Sequence, residues 1–299
     1  MRSFGKILKW IGWGILVAVG LVVALGLIAI NKKPEGLPEH HGQVSSRLFT
    51  GEGNKQALIV GLGGSEGGNP WASNHWQAQR EKFLAQGYAF LALGYFATAE
   101  SPEQLDRIAL EGVHRAVMEA AKDPRINSQC IVIMGGSKGA ELALTLASYY
   151  PNYRAVVAIV PGSAVFPALT LGMNTSSFTY EDKELAFVPV PWSATPALLK
   201  RDLRTAFAKM MENTQAMEQA AIKVENIKGP ILFLSATKDE MWPSMEMSEQ
   251  MIQRLQQKQF AYDAQHFAIP GGHTEPLQHF AMIETFLEKK VRTAVSECL

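Results

Sequence analysis

The sequence predicts an α/β fold, a mostly parallel central sheet covered by helices, and three observations carry that expectation. Short apolar runs of strand length alternate with stretches of helical periodicity from about residue 57 onward. One alternation contains Gly135-Gly136-Ser137-Lys138-Gly139, a G-x-S-x-G motif set between an apolar run and a helical stretch. A chain of 299 residues with 47% hydrophobic content is long enough to bury one large core of this kind.

Residues 57–60 read as a short strand that runs into a glycine-rich loop over 61–68. A helix over 76–86 closes at Gly87, and 88–93 is the next strand. Ser101-Pro102-Glu103-Gln104 combines an N-cap serine, a first-turn proline and a Gln at the capping-box position. A helix is therefore expected from there, with Leu105, Ile108, Val113, Ala116, Val117 and Ala120 at helical spacing. Cys130-Ile131-Val132-Ile133-Met134 is the strand before the motif, and 140–149 is the helix after it. Further strands are expected at 155–160, 231–234 and 267–269, with helices over 245–255 and 277–291.

Between the strands at 155–160 and 231–234 the alternation breaks. Residues 161–197 carry five prolines among apolar and small residues, and the chain then turns helical to about 221. The segment is too apolar for a solvated loop. An insertion at 161–221 is expected to form a cap over the carboxyl edge of the sheet and to shape a substrate pocket.

The N-terminus is organised differently. Residues 10–30 carry no charge and would span about 32 Å as a helix at ~1.5 Å per residue, enough to cross a bilayer. A cleaved signal peptide would have a shorter apolar region and a better small-x-small site than Leu27-Ile28-Ala29. The expected layout is a basic tail over 1–9, a single-pass transmembrane anchor over 10–30, a linker over 31–42 and one domain over 43–299. Arg2, Lys6 and Lys9 precede the apolar run and Lys32 and Lys33 follow it, which slightly favours an N-in orientation and an extracytoplasmic domain.

Lys+Arg and Asp+Glu balance at 28 each, without a basic stripe, which argues against a nucleic-acid partner. The two cysteines, Cys130 and Cys298, make a poor disulfide framework, and Cys130 reads as a small buried apolar residue. No His/Cys cluster has metal-ligand spacing, so neither metal nor cofactor is expected. Nothing in the sequence fixes an oligomeric state.

A strand, then G-x-S-x-G, then a helix is the form of a nucleophile elbow. The turn is so sharp that side chains two positions either side of the serine would clash, hence glycine at both. The serine hydroxyl is lifted clear of the sheet beside a helix N-terminus. It needs a base to take its proton, and the base needs an orienting acid. Among the seven histidines, His40 and His41 fall in the linker, His75 near a helix start, and His114, His266 and His279 inside expected helices or strands. His273 alone stands in a loop after the last strand, behind Gly271 and Gly272, and is the candidate base. Asp239 follows the 231–234 strand by a short loop and is the candidate acid, with Glu240 and Asp263 as alternatives. The candidate oxyanion donors are the backbone N–H of Lys138 and one from the glycine-rich loop, around Gly63, Gly64 and Ser65. That loop lacks the Gly-Lys-Ser/Thr ending of a phosphate-binding loop and the acidic residue of a dinucleotide site.

With these residues in place, the chain resembles the α/β-hydrolase domain shared by acyl-CoA thioesterases and bile acid-CoA:amino acid N-acyltransferases. The most specific stretch is Gly136-Ser137-Lys138-Gly139-Ala140-Glu141-Leu142, supported by Leu91 to Phe96, Pro161 to Val165, Lys238 to Trp242 and Gly272 to Pro276. The resemblance implies Ser137 as nucleophile, Asp239 as acid and His273 as base. It implies attack on a small acyl ester or acyl-CoA thioester and transfer of the acyl group to water or to an amine. Two departures stand out: residues 31–56 are too short for the β-sandwich domain that precedes the hydrolase domain in better-known members, and the chain begins with an apolar span that would bring a lipid bilayer as partner. The expectation is a membrane-anchored serine hydrolase. Its alternatives are an acyltransferase and a catalytically inactive binding protein of the same fold.

Overall fold

The computed structural model describes residues 32–292, with Gly20 alone before them. Among the described residues no helix is long and apolar enough to cross a membrane. The expected anchor over 10–30, Gly20 apart, and the tail over 1–9 lie outside the described residues.

The central sheet has seven strands: β1 (Ser45–Phe49), β2 (Gln56–Leu62), β3 (Tyr88–Gly94), β5 (Ile126–Gly136), β6 (Tyr153–Ile159), β9 (Ile231–Ala236) and β10 (Ala264–Ile269). Their spatial order is β1-β3-β2-β5-β6-β9-β10. Every neighbouring pair is parallel except β1 with β3. β2 and β3 are buried along their whole length, which is why they read as unbroken apolar runs rather than alternating ones. β1 was not expected. Its sequence, Ser-Ser-Arg-Leu-Phe, is half polar because it forms an edge, and edges tolerate polar side chains.

Helices cover both faces. On one side α2 (Leu110–Ala120), α3 (Lys138–Tyr149) and α7 (Ser244–Gln257) pack Val113, Leu142, Leu146 and Met251 against Leu58, Ile131 and Phe233. On the other, α1 (Gln77–Ala85) and α8 (Phe280–Leu287) pack Phe83, Ile283 and Phe286 against Ile59, Val132 and Leu232. The alternation of neighbouring strand residues between the two cores follows from the two-residue period of a strand. Cys130 belongs to the second core and is fully buried, as its apolar surroundings in the sequence imply.

The helix expected from Ser101 begins at Leu110 instead. Ile108 and Ala109 are drawn into a small second sheet, β4 (Ile108–Ala109), β7 (Phe178–Tyr180) and β8 (Lys183–Glu184). Arg107 and Ile108 donate their N–H groups to Ser176 and Ser177 carbonyls, at 3.0 and 2.8 Å. Asp106 is buried, paired with Arg107 and bonded by Thr175 Oγ1 at 2.6 Å. These tertiary bonds outweigh a local capping signal worth about 1 kcal/mol. Ser101 instead closes a tight turn with Thr98.

Residues 161–221 carry β7, β8 and three short helices, α4 (Thr195–Leu199), α5 (Leu203–Met211) and α6 (Thr214–Ala220). Phe166, Val188, Met210 and Ala220 bury against Trp242 and Met247, so the segment packs on the loop after β9.

Candidate active site

β5 ends and α3 begins within one residue, Ser137, whose φ is +53° and ψ −120°. An L-residue pays for such a backbone, of order 1–3 kcal/mol, and it persists only where packing over-determines it. That packing is the meeting of three glycines. A Cβ on Gly135 would lie 2.1 Å from the Gly139 carbonyl oxygen, and one on Gly139 would lie 2.1 Å from the Gly63 carbonyl oxygen. The motif's two outer glycines are therefore steric necessities, as the sequence spacing implies. Ser137 N–H is tied to the Ile159 carbonyl at 2.8 Å, which joins the turn to β6.

Asp239 lies in the loop after β9 and is fully buried. Oδ1 accepts the backbone N–H groups of Met241 and Trp242 at 3.0 and 3.2 Å, and the His273 ring at 2.8 Å. Oδ2 accepts Ser244 Oγ at 2.6 Å. Burial pushes this carboxyl up, but the bonds from His273, Ser244 and Trp242 outweigh it and hold Asp239 below its ordinary value. An ionised carboxylate only accepts, so His273 Nδ1 carries the proton, and Nε2 is left as the basic nitrogen. Glu240, the alternative acid, accepts the backbone N–H of His273 at 2.9 Å and steadies the loop. Asp263 is far from this role, paired with Lys290 at 3.0 Å.

Ser137, His273, Gly64 and Ser65 line one cavity of about 390 Å³. Its apolar wall includes Leu62, Pro70, Trp71, Trp76, Val160 and Leu277. The glycine-rich loop is held by Tyr95, whose hydroxyl donates to the Gly63 carbonyl at 2.8 Å, and by Trp71, whose indole N–H reaches the Leu62 carbonyl at 3.3 Å. Gly64 sits against the elbow: a Cβ there would lie 3.3 Å from Ser137 Cβ. Lys138 begins α3, so its backbone N–H is at the helix N-terminus beside the serine. Its side chain turns inward. Nζ meets Glu141 at 2.7 Å and Ser177 Oγ at 2.8 Å, and Phe166 N–H also donates to Glu141 at 3.0 Å.

The expected cap contributes no residue to the lining of this cavity. Phe166, Val188 and Met210 of the segment pack with Trp242, while Leu171, Trp192 and Leu199 are exposed, and Arg204 from α5 donates to the Asp239 carbonyl at 3.0 Å. The segment braces the acid's loop. Sequence reasoning also missed Ser244, Trp242 and Tyr95; the first two lie within five residues of Asp239, but only the fold shows which polar groups reach its oxygens. The remaining histidines have other partners: His41 bonds Thr179, His114 stacks on Tyr150 at 3.7 Å, and His266 bonds Ser235. Among the described residues no His, Cys, Asp and Glu cluster could hold a metal ion.

Residues 109–293 match the family model described as BAAT / Acyl-CoA thioester hydrolase C terminal. The chain belongs to this family. Among curated proteins, the Mus musculus peroxisomal succinyl-coenzyme A thioesterase is 28% identical over 264 residues, covering 87% of this chain and 58% of that protein. The Mus musculus acyl-coenzyme A amino acid N-acyltransferase 1 is 30% identical over 198 residues, covering 65% and 44%. The chain thus spans about half the length of the curated relatives it matches. Among solved structures, Pyrococcus horikoshii acylaminoacyl peptidase superposes with a TM-score of 0.59 at 14% identity, over 85% of this chain and 40% of that one. That likeness concerns the fold, which is the α/β-hydrolase fold.

Proposed function

We propose that this protein is a serine acyl hydrolase that cleaves an acyl thioester or ester through an acyl-enzyme on Ser137. The observation that carries the reading is the strained Ser137 opening on the same cavity as His273, whose Nδ1 is held by buried, ionised Asp239. Ser137 Oγ attacks the carbonyl carbon as its proton passes to His273 Nε2. The resulting oxyanion is stabilised by the Lys138 N–H and an N–H from Gly64 or Ser65. The carbon–sulfur or carbon–oxygen bond then breaks, and His273 returns the proton to the leaving group. Water repeats the sequence on the acyl-enzyme and frees the acid. The names of the relatives favour an acyl-CoA as donor, and those that are N-acyltransferases favour an amine as a second acceptor.

Anchoring by the apolar run over 10–30, with the domain outside the cytoplasm, belongs to the same proposal. It is supported by the uncharged run and the basic residues before it. Alkaline carbonate extraction of membranes from cells expressing the full chain should leave it in the pellet; release into the supernatant removes the anchor.

The catalytic reading is tested by fluorophosphonate labelling of the full chain in detergent. Ser137 should be labelled while the protein is folded, and neither Ser137→Ala nor heat-denatured protein should be. Folded protein that resists the probe overturns the reading and leaves a binding protein of this fold. Product analysis with water and amine acceptors in competition separates hydrolysis from transfer.

A further inference from the structure

Residues 33–41 are pinned against the small second sheet at three points. Lys33 Nζ pairs with Glu184 Oε1 on β8 at 2.7 Å, the Arg107 guanidinium donates to the Gly36 carbonyl, and His41 bonds Thr179 Oγ1 on β7 at 2.9 Å. The same corner carries a loop. Ala168 N–H donates to the Thr175 carbonyl at 2.9 Å and closes 169–174, while Leu169 N–H donates to the Leu105 carbonyl at 2.9 Å. Ser176 N–H donates to Glu184 Oε2 at 3.0 Å, so the carboxylate that holds Lys33 also holds the base of the loop. Leu171, within the loop, is 83% exposed, with Leu169 at 38% and Leu37 at 41%. No charged residue lies between Arg154 and Glu181.

A group of exposed leucines marks a contact surface, and what covers this one follows from where the chain leaves the bilayer. Read as an anchor, the uncharged run ends at Ile30, three residues before Lys33. Three residues reach about 10 Å at most. The headgroup layer is itself about 5–8 Å thick. The Lys33–Glu184 pair, and the loop base bonded to it, are therefore held at or next to the headgroups. A charged loop would be kept out of that layer by the cost of desolvating it, and this loop carries no charge. We infer that Leu171, with Leu169 and Leu37 beside it, rests in the headgroup–acyl boundary of the bilayer and turns the second sheet toward the membrane. The inference rests on the anchor reading of 10–30 and adds an orientation to it. Trp192 and Leu199 are comparably exposed, at 77% and 81%, but they lie eight or more residues along the chain from Glu184 and serve as the comparison.

Photolabelling tests this. The full chain is reconstituted into phosphatidylcholine vesicles doped with a phosphatidylcholine that carries a diazirine near the start of its acyl chain. After irradiation, the labelled peptides are mapped by mass spectrometry. Label is expected on 10–30 and on the 169–174 loop, the loop at least about fivefold above the Trp192–Leu199 stretch. Leu171→Asp should cut loop labelling by about fivefold or more while the label on 10–30 stays, because a carboxylate resists entry into the boundary. The same variant should keep its rate of Ser137 labelling by a water-soluble fluorophosphonate, which shows that it is folded. Label on 10–30 without label on the loop overturns the inference and leaves the anchor standing; a second copy of the chain covering the leucines would give that result. Equal or greater label on Trp192–Leu199 overturns the orientation, as does loop labelling that survives Leu171→Asp. Absence of label from both 10–30 and the loop removes the anchor reading itself, and the inference with it.

Discussion

Ser244 Oγ donates a 2.6 Å hydrogen bond to Oδ2 of Asp239, the carboxylate oxygen that His273 does not use. The same hydroxyl accepts the Ala236 N–H at 3.2 Å, so one side chain links the end of β9 to the acid. Removing it leaves a buried amide without its acceptor and a carboxylate short of one donor. Ser244→Ala should destabilise the protein by about 1–3 kcal/mol. It should also slow Ser137 labelling several-fold, because Asp239 orients His273 less firmly. Urea denaturation and probe kinetics on the same preparation check both effects; an unchanged labelling rate would confine Ser244 to stability.

The depressed pKa of Asp239 makes its contribution depend on pH. Burial raises it, the His273, Ser244 and Trp242 bonds lower it more, and the folded value lies below the unfolded one. Stability from this group is therefore complete above the ordinary aspartate pKa of about 3.9 and lost as pH falls through the folded value. Asp239→Asn should cost most stability near neutral pH, and the gap from wild type should narrow below about pH 4. Urea midpoints of the two proteins between neutral and acid pH test the sign. A gap that widens on acidification would contradict it.

The elbow was legible because its signature is local and steric. Gly135 and Gly139 are forced by backbone contacts within the turn and with Gly63, and a five-residue pattern carries that information. His273 and Asp239 were legible because each follows a strand of the parallel sheet, where side chains gather at the carboxyl edge. The helix start near Ser101 was misread for the opposite reason. The bonds that hold Asp106 to Ile108 out of a helix come from Thr175, Ser176 and Ser177, about 70 residues away, and no local window contains them. The role of 161–221 was half legible. Its apolar content announced burial, but its partner, Trp242, is set by the fold.

Lys138 and Glu141 form an ion pair with both side chains at or near full burial, 2.7 Å apart. Burial pushes the lysine down and the glutamate up, each partly offset by the other. Among the described residues Glu141 Oε2 has no hydrogen-bond partner, so the pair is imperfectly compensated. Lys138→Met should cost about 3–5 kcal/mol because it strands a buried carboxylate, whereas the double change Lys138→Met with Glu141→Leu should cost far less. The coupling is read from urea denaturation of both single variants and the double. Simple additivity would show that the two charges do not compensate each other.

The last prediction concerns how the 161–221 segment reaches the site without lining its cavity. Arg204 Nη1 donates to the Asp239 carbonyl at 3.0 Å, and its other Nη bonds Glu246 on α7. The guanidinium is about a third exposed, so its contribution to global stability is small, within roughly 1 kcal/mol. Its geometric effect is larger, since it fixes the peptide whose side chain fixes His273. Arg204→Ala should leave the unfolding midpoint nearly unchanged and reduce the Ser137 labelling rate by about three- to tenfold. Arg204→Lys should recover only part of that rate, because a single ammonium cannot span the Asp239 carbonyl and the Glu246 carboxylate as the planar fork does. A full rescue by lysine would mean that charge, not the two-point bracket, holds the acid's loop.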